Sequence, residues 1–158
     1  MTRLRPGRYN LLILNSNEVD LLPSPQFATA VFPEKPVLLR ERQLQGQVWI
    51  VTIVEDGEKQ IIELESDGMN KDDITFLHEK AIEPGVPLVL SSPRPFEAKH
   101  EKDIGSMGVY SLIIPDGNPL FTWYVGRNQD QEVAVERVPI MPIHPPHSVW
   151  GFDPIRPE

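Results

Sequence analysis

Short apolar runs alternate with polar segments along the whole chain, and the polar segments are rich in Gly, Pro, Asp and Asn. The clearest run, residues 48–54, consists of β-branched residues and one tryptophan, which are residue types enriched in strands. It is followed by Asp56-Gly57, which suits a tight hairpin turn because the favoured turns need positive φ angles. The first run, residues 9–14, shows little alternation, which predicts a strand buried on both faces. No segment has a convincing helical period over about ten residues, so the pattern predicts an all-β protein.

We predict about twelve strands from this pattern. One of them is ambiguous, because the propensity of residues 72–80 would also allow a helical turn. The expected strands cover residues 9–14, 27–32, 37–42, 48–54, 61–64, 74–77, 86–90, 96–100, 109–114, 120–125, 133–138 and 148–152.

The sequence repeats itself at a fixed spacing. The motif Gly7-Arg8-Tyr9 returns as Gly108-Val109-Tyr110, with the two tyrosines 101 positions apart, and Trp49 and Trp150 keep the same spacing. If this spacing is two repeats, the unit is about 50 residues long, and a middle copy should begin near Gly57. A unit of that length is too short to bury its own apolar face, so we expect the repeats to share one core.

These repeats predict a single domain, residues 1–158, with units of approximately 7–56, 57–107 and 108–158. Three units of four strands each describe a β-trefoil, which is a six-stranded barrel capped by three hairpins. We expect Tyr9, Trp49, Tyr110 and Trp150 to occupy equivalent places in or beside the barrel, and Phe96 to take the place of the tryptophan in the middle unit.

Composition narrows the class of protein. The 158 residues are 40% apolar, which is enough for a core, and the 17 prolines favour short strands joined by structured loops. No cysteine is present, so stability has to come from the core. The formal net charge of −8 argues against nucleic acid or an anionic membrane as partner. No apolar run approaches a membrane span of about 20 residues, and no signal peptide is visible. We therefore expect a soluble protein that is cytoplasmic or unconventionally secreted. We also expect it to be a monomer.

No catalytic constellation is visible in the sequence. The chain has no cysteine nucleophile, no Gly-x-Ser-x-Gly elbow and no glycine-rich phosphate loop. His144 and His147 are the one pair that suggests a metal, but the prolines between them favour an extended geometry, so two surface histidines in a rigid loop are the simpler interpretation. We therefore expect neither metal nor cofactor, and a binding protein rather than an enzyme.

The chain contains a series of motifs in a fixed order: Gly7-x-Tyr9, Phe27-Ala28-Thr29-Ala30-Val31, Pro36-Val37, Gln47-Val48-Trp49-Ile50-Val51, Trp123-Tyr124-Val125 and residues 131–137 and 139–152. Together these motifs resemble the β-trefoil protease inhibitors of mushrooms. The first third is similar to the mycocypins, which inhibit cysteine proteases, and the C-terminal third to the cospin-like inhibitors of serine proteases. The resemblance implies a reversible inhibitor of endopeptidases, with serine proteases favoured and papain- or legumain-like enzymes as the alternative.

Both families imply a working loop at residues 15–26. The candidate protease-binding residues there are Leu21, Leu22, Pro23, Ser24, Pro25 and Gln26. The cospin-like pattern would place Leu22 in the primary specificity pocket, which suits an apolar pocket, and the two prolines would lower the entropy lost on docking. An alternative stays open, in which the leucines turn inward and cap the barrel. The inhibitory role also meets an objection, because Pro23 would follow the scissile bond, where most serine proteases tolerate proline poorly.

The mycocypin resemblance also implies a second loop, with Met69, Asn70 and Lys71 directed at legumain or trypsin, although a plain polar turn explains the same residues. Mycocypins pair their first loop with a segment that corresponds here to residues 43–47.

A β-trefoil lectin is the main alternative from another class, because Gln47-Val48-Trp49 matches a lectin motif once. In lectins, that glutamine and tryptophan are mainly structural. A storage protein is a third hypothesis for the function.

Overall fold

The computed structural model describes residues 3–17, 24–31, 35–43, 45–68, 75–143 and 145–155. Within these ranges the secondary structure consists of twelve strands and no helix, which confirms the all-β prediction. The strands are β1 (Gly7–Asn15), β2 (Phe27–Thr29), β3 (Leu38–Arg40), β4 (Trp49–Asp56), β5 (Gln60–Ser66), β6 (Phe76–Glu79), β7 (Leu88–Ser91), β8 (Phe96–Ile104), β9 (Met107–Ile114), β10 (Phe121–Arg127), β11 (Val133–Pro139) and β12 (Ser148–Pro154).

Each strand overlaps one of the expected runs. The segment at residues 72–80, for which a helical turn was also allowed, contains the strand β6 within its described residues 75–80. The largest difference is β8, which continues to Ile104 rather than ending at His100. A β-bulge between His100 and Lys102 allows this, because pairing with β9 resumes after the bulge as far as Ile104↔Met107.

The pairing of six strands returns to where it starts. β1 pairs with β4, β4 with β5, β5 with β8, β8 with β9, β9 with β12, and β12 with β1, always antiparallel. Each of the six therefore has a neighbour on both sides. The other six form the pairs β2–β3, β6–β7 and β10–β11, which attach to β1, β5 and β9.

The pairing register repeats three times along the chain. Tyr9 pairs with Trp49 and Tyr110 with Trp150, and Gly7↔Val51 and Gly108↔Phe152 mark corresponding positions. In the middle unit Ile62 pairs with Phe96. The predicted equivalence of the two tyrosines and the two tryptophans is confirmed in this register, and Phe96 stands where the other units have tryptophan.

Both indole groups of this repeat are fixed in the same way. Trp49 and Trp150 are fully buried. Trp49 Nε1 donates to the carbonyl of Ala28 at 3.1 Å, and Trp150 Nε1 donates to the carbonyl of Val125 at 2.8 Å. Each tryptophan thus ties its strand to an additional hairpin of its own unit, β2–β3 or β10–β11.

Alternate residues of the six cyclically paired strands supply the centre of the main core, as expected when successive side chains point to opposite faces. Two residues come from each of five strands and three from β9: Leu11 and Ile13, Trp49 and Val51, Ile62 and Leu64, Phe96 and Ala98, Tyr110, Leu112 and Ile114, and Trp150 and Phe152.

Residues 11–14 of β1 are buried on both faces, as the apolar run predicts, whereas Tyr9 and Asn10 are half-buried. Leu12 and Leu14, on the face away from the main core, join a second cluster with Phe27, Met107, Val109 and Val149. Gly151 makes room for this cluster, because a Cβ there would lie 2.7 Å from the Met107 side chain.

Candidate functional site

The predicted protease-binding loop follows β1. Leu21, Leu22 and Pro23 lie outside the described residues. Ser24 is exposed, and Pro25 and Gln26 are half-buried. The structure therefore places only the last three of the six candidate residues.

Both ends of this loop are fixed by hydrogen bonds. At its start, Ser16 N donates to the His147 carbonyl at 2.8 Å and Ser16 Oγ accepts from His147 N at 3.0 Å. Lys102 Nζ donates to the Ser16 carbonyl at 3.1 Å. At its end, the Gln26 carbonyl accepts from Ile13 N at 3.0 Å. His147 and Lys102, which are distant in sequence, thus hold the start of the loop, and Ile13 of β1, the strand that precedes the loop, holds its end.

His147 is the central residue of this anchor, and its side chain is buried. Its ring stacks on Tyr124 with centroids 4.1 Å apart. Nε2 lies 2.9 Å from Ser111 Oγ, and Nδ1 lies 3.3 Å from the Pro145 carbonyl. The expectation of two surface histidines is wrong for His147, because stacking and these polar partners compensate its burial; His144 lies outside the described residues.

Ser111 and His147 have the contact of a nucleophile and its base, but their surroundings do not suit catalysis. Ser111 is only 1% exposed, so a substrate carbonyl has no access to its hydroxyl. The carboxylate of Glu101 lies 3.8 Å from Nε2, on the same ring nitrogen as the serine, whereas an orienting carboxylate acts on the other nitrogen. The pair is suited to holding the segment before β12.

Three residues of that segment, together with Leu120 just before β10, are exposed apolar side chains that the sequence analysis did not single out. We call Leu120, Ile140, Met141 and Ile143 the apolar ridge; their exposed fractions are 67%, 59%, 49% and 83%. Ile140 N donates to the Leu120 carbonyl at 3.0 Å. This hydrogen bond connects Leu120 to the rest of the ridge at residues 140–143. The sequence did contain a signal for this exposed segment. Its apolar residues stand between Pro139, Pro142 and Pro145, and they do not follow the alternation of a strand.

A cavity of about 510 Å³ lies beside the ridge. Its apolar walls include Ile113, Pro139 and Ile140, and its polar lining includes Lys99, Tyr124 and His147. Burial, followed by the charge of Glu101, raises the pKa of the Tyr124 hydroxyl, so this hydroxyl is a neutral hydrogen-bonding group at physiological pH.

The second predicted loop, Met69, Asn70 and Lys71, lies outside the described residues. Just before it, a carboxylate oxygen of Asp67 lies 2.9 Å from Arg8 Nε in an ion pair. The structure therefore fixes the approach to this loop by an ion pair to β1.

Gln47 is buried and fully engaged within the protein. Its Nε2 donates to Thr29 Oγ1 at 3.0 Å and to the Glu41 carbonyl at 2.8 Å, and its Oε1 accepts from Gln43 N at 3.0 Å. With Trp49 also buried, the lectin-like motif performs structural work and offers no sugar-binding surface of its own.

Among the described residues, no group of three or more His, Cys, Asp or Glu side chains could hold a metal ion. The same part of the chain contains no helix long and apolar enough to cross a membrane. No protein-family model matches the sequence, and no curated protein matches it.

Proposed function

We propose that this protein is a β-trefoil inhibitor of endopeptidases that acts reversibly through surface loops. The cyclic pairing of six strands supports a closed barrel, the three attached pairs correspond to the capping hairpins, and the threefold register corresponds to three units in one domain. Closure leaves those strands without free edges, which gives surface loops a rigid support.

The observation that carries the function is the anchoring of the loop at residues 15–26 at both ends. Ser16 is held by His147 and Lys102, and Gln26 is held by Ile13. A loop with fixed ends loses little conformational entropy when it enters a protease cleft, which favours tight binding without additional contacts.

The target class follows from the side chains of that loop. We propose that Leu22 occupies the primary specificity pocket of a serine protease, and that Pro23 on the far side of the bond slows its cleavage. A leucine fits a chymotrypsin- or subtilisin-like apolar pocket better than the acidic pocket of trypsin. Papain- and legumain-like enzymes are the alternative, the latter through Asn70 and Lys71.

Inhibition assays against trypsin, chymotrypsin, subtilisin, papain and legumain test this function. We expect the wild-type protein to inhibit chymotrypsin or subtilisin, and the double change Leu21→Asp with Leu22→Asp to raise the inhibition constant by about 100-fold or more, since buried anchors dominate binding energy. The melting temperature should remain almost unchanged.

A double change Asn70→Ala with Lys71→Ala is the matched control, and it should inhibit chymotrypsin like the wild type. Loss of legumain or trypsin inhibition in this control alone would assign the activity to the second loop. An unfolded Leu21→Asp, Leu22→Asp protein would place the leucines in the core. Silence of the wild type against all five enzymes would refute the function.

A further inference from the structure

We propose that the cavity of about 510 Å³ beside the ridge is a binding site for a small organic acid, with its carboxylate on Lys99 and its apolar body against the cavity walls. The inference does not rest on the proposed inhibitor function, and it uses none of the residues of the two predicted loops. Volume, apolar walls and charge each point to this class of ligand.

The volume of the cavity suits a small molecule. Ligand sites in proteins usually measure about 300–1,000 Å³, and they combine mostly apolar walls with a few polar groups that orient the ligand. The cavity here lies within that range and has both kinds of lining. It therefore has room for a body of one or two rings or for a short aliphatic chain.

The apolar walls come from β9, from the end of β11 and from the residue that follows it. They consist of Ile113, Val138, Pro139 and Ile140. Ile113 is half-buried, and Ile140 is 59% exposed. An apolar ligand body placed against these side chains would remove their remaining surface from water, which favours binding.

Charge selects the head group of the ligand. The lysine and glutamate side chains that line the cavity are Lys59, Glu97 and Lys99. Lys59 Nζ lies 3.5 Å from Glu97 Oε1, so these two charges compensate each other. Lys99 is exposed, and its ammonium group has no partner among the described residues. A carboxylate on the ligand would supply that partner through a charge-assisted hydrogen bond.

Tyr124 and His147 add stacked aromatic rings and polar groups to the lining. Their planes are 19° apart, and the Tyr124 hydroxyl is neutral and can donate to a ligand oxygen. Glu101 is not among the lining residues, but its carboxylate lies 3.8 Å from His147 Nε2. Because like charges repel, the ligand carboxylate should lie at Lys99 rather than towards Glu101.

Isothermal titration calorimetry with 2-naphthoate and octanoate tests this site. We expect saturable binding of at least one of these acids, and weaker binding of the matching neutral amide. Lys99→Gln should raise the dissociation constant of the bound acid by about 5- to 20-fold and leave that of the amide unchanged, because it removes the paired charge. Lys99→Arg should restore most of the affinity. Lys80→Gln is the matched control, since Lys80 is also exposed and does not line the cavity.

Ile113→Trp, which should fill the cavity from its wall, should abolish binding, and all variants should keep the wild-type melting temperature to within a few degrees. Failure of both acids to bind the wild type would overturn the inference, as would binding that survives in Ile113→Trp. A dissociation constant within twofold of the wild type in Lys99→Gln would also overturn it. Tighter binding of 2-naphthylmethylamine than of 2-naphthoate would assign the cavity to cations and refute an acid as the ligand.

Discussion

Three aromatic side chains meet beside the paired strands β1 and β12. The Phe152 ring meets the Tyr9 ring at 5.7 Å and the Tyr110 ring at 5.4 Å between centroids, both edge-on. Such edge-to-face pairs stabilise the folded protein by more than the burial of their apolar area alone. Burial, followed by the neighbouring Tyr9 and Asp103, raises the pKa of Tyr110 to about 12. The phenol is therefore held in its neutral form where the three rings meet.

Tyr110 should make the folded protein sensitive to alkali. Below a pH of about 10, the folded and unfolded chains both keep this proton, so the group does not favour unfolding. Between about pH 10 and the folded pKa of about 12, the unfolded chain releases the proton first, and the free energy of unfolding falls as pH rises. In Tyr110→Phe this fall should be shallower, which urea unfolding at a series of alkaline pH values measures. An identical slope in the two proteins would contradict the assignment.

At the scale of elements, the connection between β3 and β4 passes against the end of β2. Ala30 N donates to the Gly46 carbonyl at 2.7 Å. Gly46 has a φ of +83°, and a Cβ there would lie 2.4 Å from the Ala30 carbonyl oxygen. Only glycine meets both requirements, because the obstacle is backbone rather than a flexible side chain. This contact positions Gln47 and Trp49, which follow directly.

Gly46→Ala should therefore be more destabilising than its conformation alone explains. Gly85 is the matched control, since its φ is +81° and no atom lies within 4 Å of an added Cβ. We expect Gly85→Ala to cost about 1–2 kcal/mol from the left-handed conformation. Gly46→Ala should cost about 2–4 kcal/mol, because overpacking adds to that strain. Urea unfolding of both variants measures the difference, and equal losses would show that the Ala30 contact is unimportant.

For the whole molecule, cyclic pairing makes each unit depend on the others. β4 of the first unit pairs with β5 of the second, β8 of the second with β9 of the third, and β12 of the third with β1 of the first. Every unit thus shares strand pairs with both others. In the proposed β-trefoil, the three units should unfold as one.

Trp49→Ala tests this dependence. Removing a fully buried tryptophan should lower the free energy of unfolding by about 3–5 kcal/mol. The remaining Trp123 and Trp150 belong to the third unit, so their fluorescence should report the same lowered urea midpoint as far-ultraviolet circular dichroism. Circular dichroism that changes before the fluorescence would mean that the first unit unfolds independently.

The sequence by itself determined the class of fold and the positions of the strands. Alternating apolar runs and turn residues such as Asp56-Gly57 are local signals, since they act within a few residues of the chain. The spacing of Tyr9, Trp49, Tyr110 and Trp150 also predicted their equivalence, because a repeat is a property of sequence alone. The proposed inhibitory role of Leu21 and Leu22 rests on the sequence and on the resemblance that it carries.

Only the tertiary structure decided which side chains are buried or exposed outside the strands. His147 and Ser16 are 131 positions apart, so no local pattern predicts that they hold two loops together. Ile140 and Ile143 have the same apolar character as core residues, and only the path of the chain after β11 leaves them exposed. Burial is set by contacts between distant parts of the chain, whereas the strand pattern is set by neighbours in sequence.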